Sequence, residues 1–257
     1  MRLIIITCPK LAADRLKQQI SQFTRAIELS LLSRIEIICL DDLEARSLVR
    51  VPYVPEKWSN NITDGWEHFK QNILARVHKS DCSYERNLFT VAPNLVFPPR
   101  LLTQSEHSVA LRHLLAVEVV ANASEPCIIL EDDALVQDES LFHELLLFMH
   151  DLIKPRLFVD LTDNYLPIDI KGLKSCQIGR IKYCAHPVAL TRTLMAYAIT
   201  PDTAKSLLGS LSHYSLPIDM QLQVQLCRLC LPGISLYVSP FLHGSKTDAI
   251  PSSIRQV

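Results

Sequence analysis

The sequence predicts an α/β protein in which a mixed, mostly parallel sheet is flanked by helices. Short apolar runs rich in β-branched residues alternate with longer segments of helical period, and each step between strands is long enough for a right-handed crossover. One apolar run, residues 127–130, leads directly into Glu131, Asp132 and Asp133. Because open α/β sheets bind ligands at the carboxyl ends of their strands, these acids mark the expected functional site.

The predicted elements follow one another regularly except in one segment. Residues 3–7 are the first strand, and residues 14–32 carry apolar side chains at three- and four-residue spacing, which indicates a helix. Residues 51–100 break the pattern because they contain five prolines and both tryptophans. The other predicted elements are strand 35–40, helix 104–121, strand 127–130, helix 141–153, strand 157–161, strand 196–199, a helix begun by Pro201, helix 219–231 and strand 235–238.

The composition argues against several classes of protein. The formal net charge is -1, which gives no electrostatic reason to expect a nucleic-acid partner. None of the six glycines forms a dinucleotide fingerprint or a P-loop pattern. The eight cysteines include several in or beside apolar runs, so we expect reduced thiols and a cytoplasmic protein.

Three adjacent carboxylates repel one another, and a cation is the simplest group that holds them together. Oxygen ligands on a loop suit Mg²⁺ or Mn²⁺, and such sites usually include substrate phosphates. Two other interpretations remain open from the sequence alone. The acids could form a solvated turn at the end of the strand, or Asp132 or Asp133 could be the N-cap of a helix.

Several blocks of the sequence, in chain order, are similar to one known family. They are Asp14-Arg15 after the first strand, Glu106-His107-Ser108 at the start of a helix, and the segments 128–134, 196–208, 216–220 and 240–254. Together they resemble glycosyltransferase family 25, whose members build lipooligosaccharides and lipopolysaccharides and whose relatives include collagen galactosyltransferases. The chain departs from the family pattern at Thr7-Cys8-Pro9, where Asn-Leu is usual, and at Glu106, where Ser is common.

The resemblance implies a single GT-A-like, Rossmann-like domain over residues 1–257. Residues 1–135 would be the nucleotide-sugar donor half, with 51–100 as a proline-rich insertion, and residues 136–257 the acceptor half. The implied activity is inverting transfer of a hexose, with galactose the first choice, from a UDP-sugar to a bacterial surface glycan such as lipopolysaccharide core or O-antigen. A lipid-linked acceptor would bring the protein to the cytoplasmic face of the inner membrane as a peripheral contact.

The expected metal ligands are Glu131, Asp133 and His243. We expect Asp133 to bind the cation directly, while Asp132 or Glu131 faces the ribose or a metal-bound water. His243 follows a strand in the C-terminal part of the chain, and its alternative role is that of a surface loop residue. Lys246 is the nearby candidate for a phosphate contact, or else a solvated lysine.

An inverting transferase needs a general base that takes the proton of the acceptor hydroxyl. Asp219 is the candidate, and a role as N-cap or first-turn acid of its helix is the alternative. Asp160 and Asp163, near the end of another predicted strand, are the other candidates for the base.

The remaining predictions concern donor and sugar contacts. Arginine binds diphosphates in a bidentate manner, which makes Arg15 and Arg112 candidates, although surface salt bridges would explain them equally well. Thr7 occupies the family's position after the first strand, and His107 is either a substrate contact or a packed helix residue. Aromatic residues that could stack on a sugar, or simply pack in the core, are Trp58, Trp66 and Tyr84.

Two alternative functions differ from the transferase hypothesis. A nucleotidyltransferase on a similar sheet would release pyrophosphate rather than a nucleoside diphosphate. A non-catalytic member of the same fold would bind a glycan or nucleotide without turnover.

Overall fold

The computed structural model describes residues 1–7, 12–28, 36–40, 48–64, 67, 100–152, 155–162, 175–191 and 193–244. The helices in these ranges are α1 Ala12–Glu28, α2 Gln104–Ala121, α3 Glu139–Leu152, α4 Pro201–Ser210 and α5 Ile218–Arg228, with a 3-10 turn at Pro55–Lys57 that leads into helical residues 58–64. The strands are β1 Arg2–Ile6, β2 Glu36–Leu40, β3 Cys127–Glu131, β4 Ala134–Val136, β5 Phe158–Asp160, β6 Ser175–Ile178, β7 Ile181–His186, β8 Ala196–Ile199, β9 Gly233–Leu236 and β10 Phe241–His243. None of the described helices is long and apolar enough to cross a membrane.

Eight of the described strands form one mixed sheet, in the order β2-β1-β3-β8-β5-β9-β7-β6. β2, β1 and β3 pair in parallel, as do β5 and β9. β8 runs antiparallel between β3 and β5, and β7 runs antiparallel to β9 and β6. The expected α/β architecture with a mixed sheet is confirmed, and it is compatible with a Rossmann-like fold. The expectation of a mostly parallel sheet is wrong, because four of the seven described strand pairings in it are antiparallel.

Helices cover both faces of this sheet. Because side chains alternate along a strand, Ile4 and Ile6 of β1 pack in the core beneath α2, α4 and α5, whereas Leu3 and Ile5 pack in the core beneath α1 and α3. All four side chains are almost fully buried, and burial of a side chain of this size contributes roughly 1.5–3 kcal/mol. The all-apolar strand therefore needs a helical layer on each side.

Helix α2 begins at a capping box. The Thr103 hydroxyl accepts a hydrogen bond from the Glu106 N–H at 3.2 Å, and the Glu106 carboxylate accepts one from the Thr103 N–H at 2.9 Å. Hydrogen bonds from the Arg100 guanidinium to the same carboxylate lower the pKa of Glu106 to about 2. This chemistry sets the start of the helix, and the predicted helix 104–121 is confirmed.

Short strands account for the main differences from the predicted elements. β4 and β10 pair antiparallel in a separate two-stranded sheet. Neither strand was predicted, because each has only three residues and shows no alternation of apolar and polar side chains. The hairpin of β6 and β7, which turns at Gly179 with a φ of +54°, was also not predicted. The last strand of the main sheet is Gly233–Leu236 rather than 235–238. It begins at a glycine because a Cβ on Gly233 would lie 2.5 Å from the Ala189 Cβ.

Candidate functional site

The acidic turn, which consists of residues 131–133, joins β3 to β4 at the carboxyl end of β3. Gln19 of α1 holds both ends of this turn, because its buried Nε2 donates to the Glu131 carbonyl at 2.7 Å and to the Ala134 carbonyl at 2.9 Å. From the other side, the N–H of Gly244 donates to the Asp133 carbonyl at 2.8 Å. The backbone that carries the acids is thus fixed by two distant parts of the chain.

Three of the predicted ligands meet at this turn. Each of Glu131, Asp133 and His243 offers one ligand atom, and these atoms lie within 4.8 Å of one another. His243 reaches the site because β10 pairs with β4, which places its Nδ1 3.1 Å from the Asp133 Oδ2. A divalent cation would replace the proton between these two atoms, as metal binding to histidine sites does in general.

The chemistry of the donor set fits Mn²⁺. Two carboxylates and one imidazole provide both oxygen and nitrogen donors, whereas Mg²⁺ prefers oxygen donors alone. The side chains are partly accessible, at 12% for Asp133 and 21% for His243, so a cation and a bound ligand could reach them. The three residues therefore suit an open site that takes further ligands from the substrate.

Two alternative interpretations of the acids are wrong. As whole residues, Asp132 and Asp133 are each 8% exposed, so the turn is not simply solvated even though the Asp133 side chain keeps the partial access described above. Neither acid caps a helix, since α3 begins at Glu139 and it is Asp138 that accepts the Leu141 N–H at 2.7 Å. Asp132 does not belong to the described ligand cluster, and its contact with a ribose stays a prediction.

A buried histidine lies behind Glu131. The Nε2 of His113 is 3.1 Å from the Glu131 Oε1, and its Nδ1 is 3.1 Å from the hydroxyl oxygen of Tyr197. His113 and Tyr197 are both fully buried, and burial together with the nearby Glu131 charge raises the pKa of Tyr197 well above its ordinary value. The phenol is therefore neutral and can donate its proton to the imidazole.

A cleft opens over the ligands. Its volume is about 190 Å³, and it is lined by Glu106, Val109, Glu131, Thr193, Leu194, Pro217, Ile218, Asp219 and His243. Pockets that enclose a whole small molecule usually measure roughly 300–1,000 Å³. The cleft formed by the described residues is therefore sized for part of a ligand as large as a nucleotide sugar.

Asp219, the predicted base, faces this cleft from the first turn of α5. Burial raises the pKa of its carboxyl group, the Met220 N–H that it accepts at 2.9 Å opposes the rise, and the Glu131 charge adds to it. A general base is most effective when its pKa lies near the working pH. The structure thus brings the predicted base and two predicted ligands to one cleft, and the role of Asp219 as a base stays a prediction.

Thr7 and Arg112 lie together at the carboxyl end of β1, outside the residues that line the cleft. Arg112 is 4% exposed, its Nη1 donates to the Thr7 carbonyl, and its Nε donates to the Ser108 carbonyl at 3.2 Å. The Thr7 hydroxyl donates to the Leu40 carbonyl at 3.2 Å. Both residues fix the ends of strands in this structure, and their contact with a donor stays a prediction.

His107 packs among aromatic side chains beside the cleft. Its ring lies edge-on to Tyr53, with centroids 4.2 Å apart, and its Nδ1 is 3.2 Å from the Tyr214 hydroxyl. Burial lowers the pKa of His107. These contacts match the packed-residue alternative, and a substrate contact by His107 stays a prediction.

Some of the other predicted residues have described positions that do not face the cleft or show no donor contact, and the rest fall outside the described ranges. Trp58 is 2% exposed and lies in the core with Arg100 over its ring at 5.6 Å, so it offers no face to a sugar. Asp160 is fully buried and accepts the Thr162 N–H at 2.8 Å, so it does not face the cleft. Arg15 lies in α1 and its donor contact stays a prediction; the residues that fall outside the described ranges are Lys246, Asp163, Trp66 and Tyr84.

His113, Tyr197 and the cleft position of Glu106 were not predicted. The one local signal was the pair Arg112-His113, two polar residues in an otherwise apolar stretch of helix. Comparison of the sequence with protein-family models and with curated proteins found no match.

Proposed function

We propose that this protein is a metal-dependent, inverting glycosyltransferase that moves a hexose from a UDP-sugar to a bacterial surface glycan. The observation that supports the proposal is a cluster of three candidate metal ligands, two of which line one cleft together with a carboxylate of raised pKa. The order of the sequence blocks that resemble glycosyltransferase family 25 supports the choice of substrate class. Galactose is the first choice of hexose on the same resemblance.

The residues divide the reaction between them. Glu131, Asp133 and His243 would hold the cation, which would neutralise the charge that develops on the departing diphosphate. Asp219 takes the proton of the acceptor hydroxyl as that oxygen attacks the anomeric carbon from the face opposite the diphosphate. One displacement of this kind inverts the anomeric configuration and requires a single base.

The first test is the thermal stability of the protein with UDP, GDP and CMP, each with and without Mn²⁺. A ligand that binds only the native state raises stability by mass action, by about 2.7 kcal/mol at 100 times Kd. We expect a rise with UDP that requires Mn²⁺ and is lost in Asp133→Ala. Asp202→Ala, which removes a first-turn acid of α4 away from the cleft, is the matched control and should retain the rise.

The same preparation then separates transfer from its alternatives. Release of UDP from a UDP-hexose in the presence of an acceptor glycan supports the proposal. Release of pyrophosphate from a nucleoside triphosphate and a sugar phosphate would instead indicate a nucleotidyltransferase. Nucleotide binding without release of either product, across a panel of donors and acceptors, would indicate a binding protein.

A further inference from the structure

The most constrained polar group near the cleft is His113, which the proposed reaction does not use. It is 0% exposed, and both of its ring nitrogens lie at hydrogen-bond distance from a partner. One partner, Glu131, lines the cleft, while the other, Tyr197, is as deeply buried as His113 itself. The ring therefore links the core of the protein to a single carboxylate of the candidate metal site.

Chemistry selects one arrangement of protons along this link. An ionised carboxylate only accepts hydrogen bonds, whereas a phenol can donate one. The Nε2 of His113 therefore donates to Glu131, while the Tyr197 hydroxyl takes the hydrogen-bonding position at Nδ1. A hydrogen bond on the far nitrogen is what fixes the tautomer and orientation of a histidine that supports a metal site.

Packing keeps Tyr197 in place. Its ring stacks on Phe158 with centroids 5.5 Å apart and an interplanar angle of 16°, and on His113 at 5.7 Å and 27°. Tyr197 also lies opposite Ile129 and Asp160 in the pairing of β8 with its two neighbours. With its position set by the centre of the sheet, Tyr197 cannot turn away from His113, and His113 in turn cannot release the Glu131 Oε1 without losing a buried hydrogen bond.

We propose that His113, held by Tyr197, is a positioning residue that engages the Glu131 Oε1 and disfavours chelation of the cation by both Glu131 oxygens, so that the site selects Mn²⁺ over Ca²⁺. This inference rests on the metal site of the proposed function but not on the transfer reaction. Ca²⁺ takes six to eight oxygen ligands and often uses both oxygens of a carboxylate, whereas smaller cations accept fewer ligands in stricter geometry. A carboxylate that has one oxygen oriented by a hydrogen bond chelates a cation less readily, which disfavours Ca²⁺.

The test measures the binding of Mn²⁺ alone to the full chain, with electron paramagnetic resonance as the detection method. It then measures how readily Ca²⁺ displaces the bound Mn²⁺. His113→Leu removes both hydrogen bonds, Tyr197→Phe removes only the hydroxyl, and His113→Gln keeps a donor toward Glu131. His186→Gln changes another buried histidine, 3% exposed and absent from the cleft lining, and is the control for loss of a core imidazole. Circular dichroism establishes that each variant is folded.

We expect His113→Leu to weaken Mn²⁺ binding by about 10- to 100-fold, the usual effect of removing a residue that supports a metal ligand. Its Ca²⁺ affinity should fall less, so that the preference for Mn²⁺ narrows. Tyr197→Phe should shift the preference in the same direction by a smaller factor, and His113→Gln and His186→Gln should keep the preference of the wild type. A wild-type preference for Mn²⁺ in His113→Gln would show that the hydrogen bond to Glu131 matters, because a histidine with a merely structural role would not give this result.

Three results would overturn the inference. The first is an unchanged preference in folded His113→Leu, or in folded Tyr197→Phe if the leucine variant does not fold. The second is a preference that shifts equally in His186→Gln. The third is a wild type that binds no Mn²⁺, which would also remove the metal from the proposed function. Mn²⁺ binding without any transfer would contradict the proposed transferase alone and leave the role of His113 intact.

Discussion

The regions around His113 and His186 both bury an imidazole beside the sheet, but only the first connects it to the cleft. The Nε2 of His186 lies 2.9 Å from the Ser235 hydroxyl and 3.3 Å from the Cys184 sulfur, and burial lowers the pKa of His186 to about 4. His113 instead contacts a carboxylate that lines an open cleft. A buried histidine thus indicates function through the group at the other end of its hydrogen bond rather than through its burial.

The largest difference in effect between the two regions is expected from Asp219→Asn, which changes a residue of the cleft that Glu131 also lines. Loss of a general base should lower kcat by about 10²- to 10⁴-fold. Because the pKa of Asp219 is raised in the folded protein, its ionised form destabilises the native state at any pH above that raised pKa, and the effect disappears below the ordinary pKa. The variant should therefore melt at the same temperature as the wild type at pH 3 and at a higher one at pH 7.

Transfer rates at pH 7 and thermal unfolding at pH 3 and pH 7 are the measurements for this variant. A fall in activity accompanied by a lower melting temperature at pH 7 would contradict the assignment, because it would mean that Asp219 stabilises the fold instead of serving the reaction.

A substitution in the region around His186 should change the pH dependence of stability and leave transfer unaffected. Its pKa lies at about 4 in the folded protein, below the ordinary value of 6.5, so the unfolded chain binds more protons between these values. This group therefore contributes stability above pH 6.5 that is lost as the pH falls toward 4, about 3 kcal/mol in all. His186→Gln should flatten the fall in the free energy of unfolding over this range and leave transfer unchanged.

Urea unfolding of the wild type and of His186→Gln at pH 7, 5.5 and 4 measures this effect. Parallel pH profiles for the two proteins would show that His186 is not the group that titrates.

The smallest effect is expected at the start of α2, the helix that carries His113. Thr103→Ala removes the N-cap of this helix and should lower the free energy of unfolding by about 1 kcal/mol. The preference for Mn²⁺ over Ca²⁺ should not change, because His113 lies in the third turn of the helix and keeps its partners. A changed preference in Thr103→Ala would mean that metal selectivity follows global stability, which would weaken the contrast between the two regions.

Local patterns were enough to predict the central elements of the fold. The apolar period of residues 104–121, the run before Glu131 and the Pro201 helix start are all properties of neighbouring residues, and all were found in the structure. β4 and β10 were missed because three residues are too few to show an alternation, and their pairing depends on a contact between distant segments.

The candidate site divides in the same way. Glu131 and Asp133 stand out because they directly follow a strand, and the loop position of His243 gave a weaker signal. The link from His113 to Tyr197 and Glu131 joins residues of α2, β8 and β3, which no spacing in the sequence brings together. Prediction from one sequence therefore named candidate ligands and a candidate base that lie close together in the structure, but not the side chains that hold them in place.

The pairing of β10 with β4 has a consequence for the order in which the site is assembled. Asp133 and Glu131 lie at the end of β3, whereas His243 lies on a strand about 110 residues later in the chain. Chains are synthesised and begin to fold from the N-terminus, so a ribosome-bound chain can form the central sheet before its third ligand exists. The three candidate ligands can therefore meet only after β10 has been synthesised and has paired with β4.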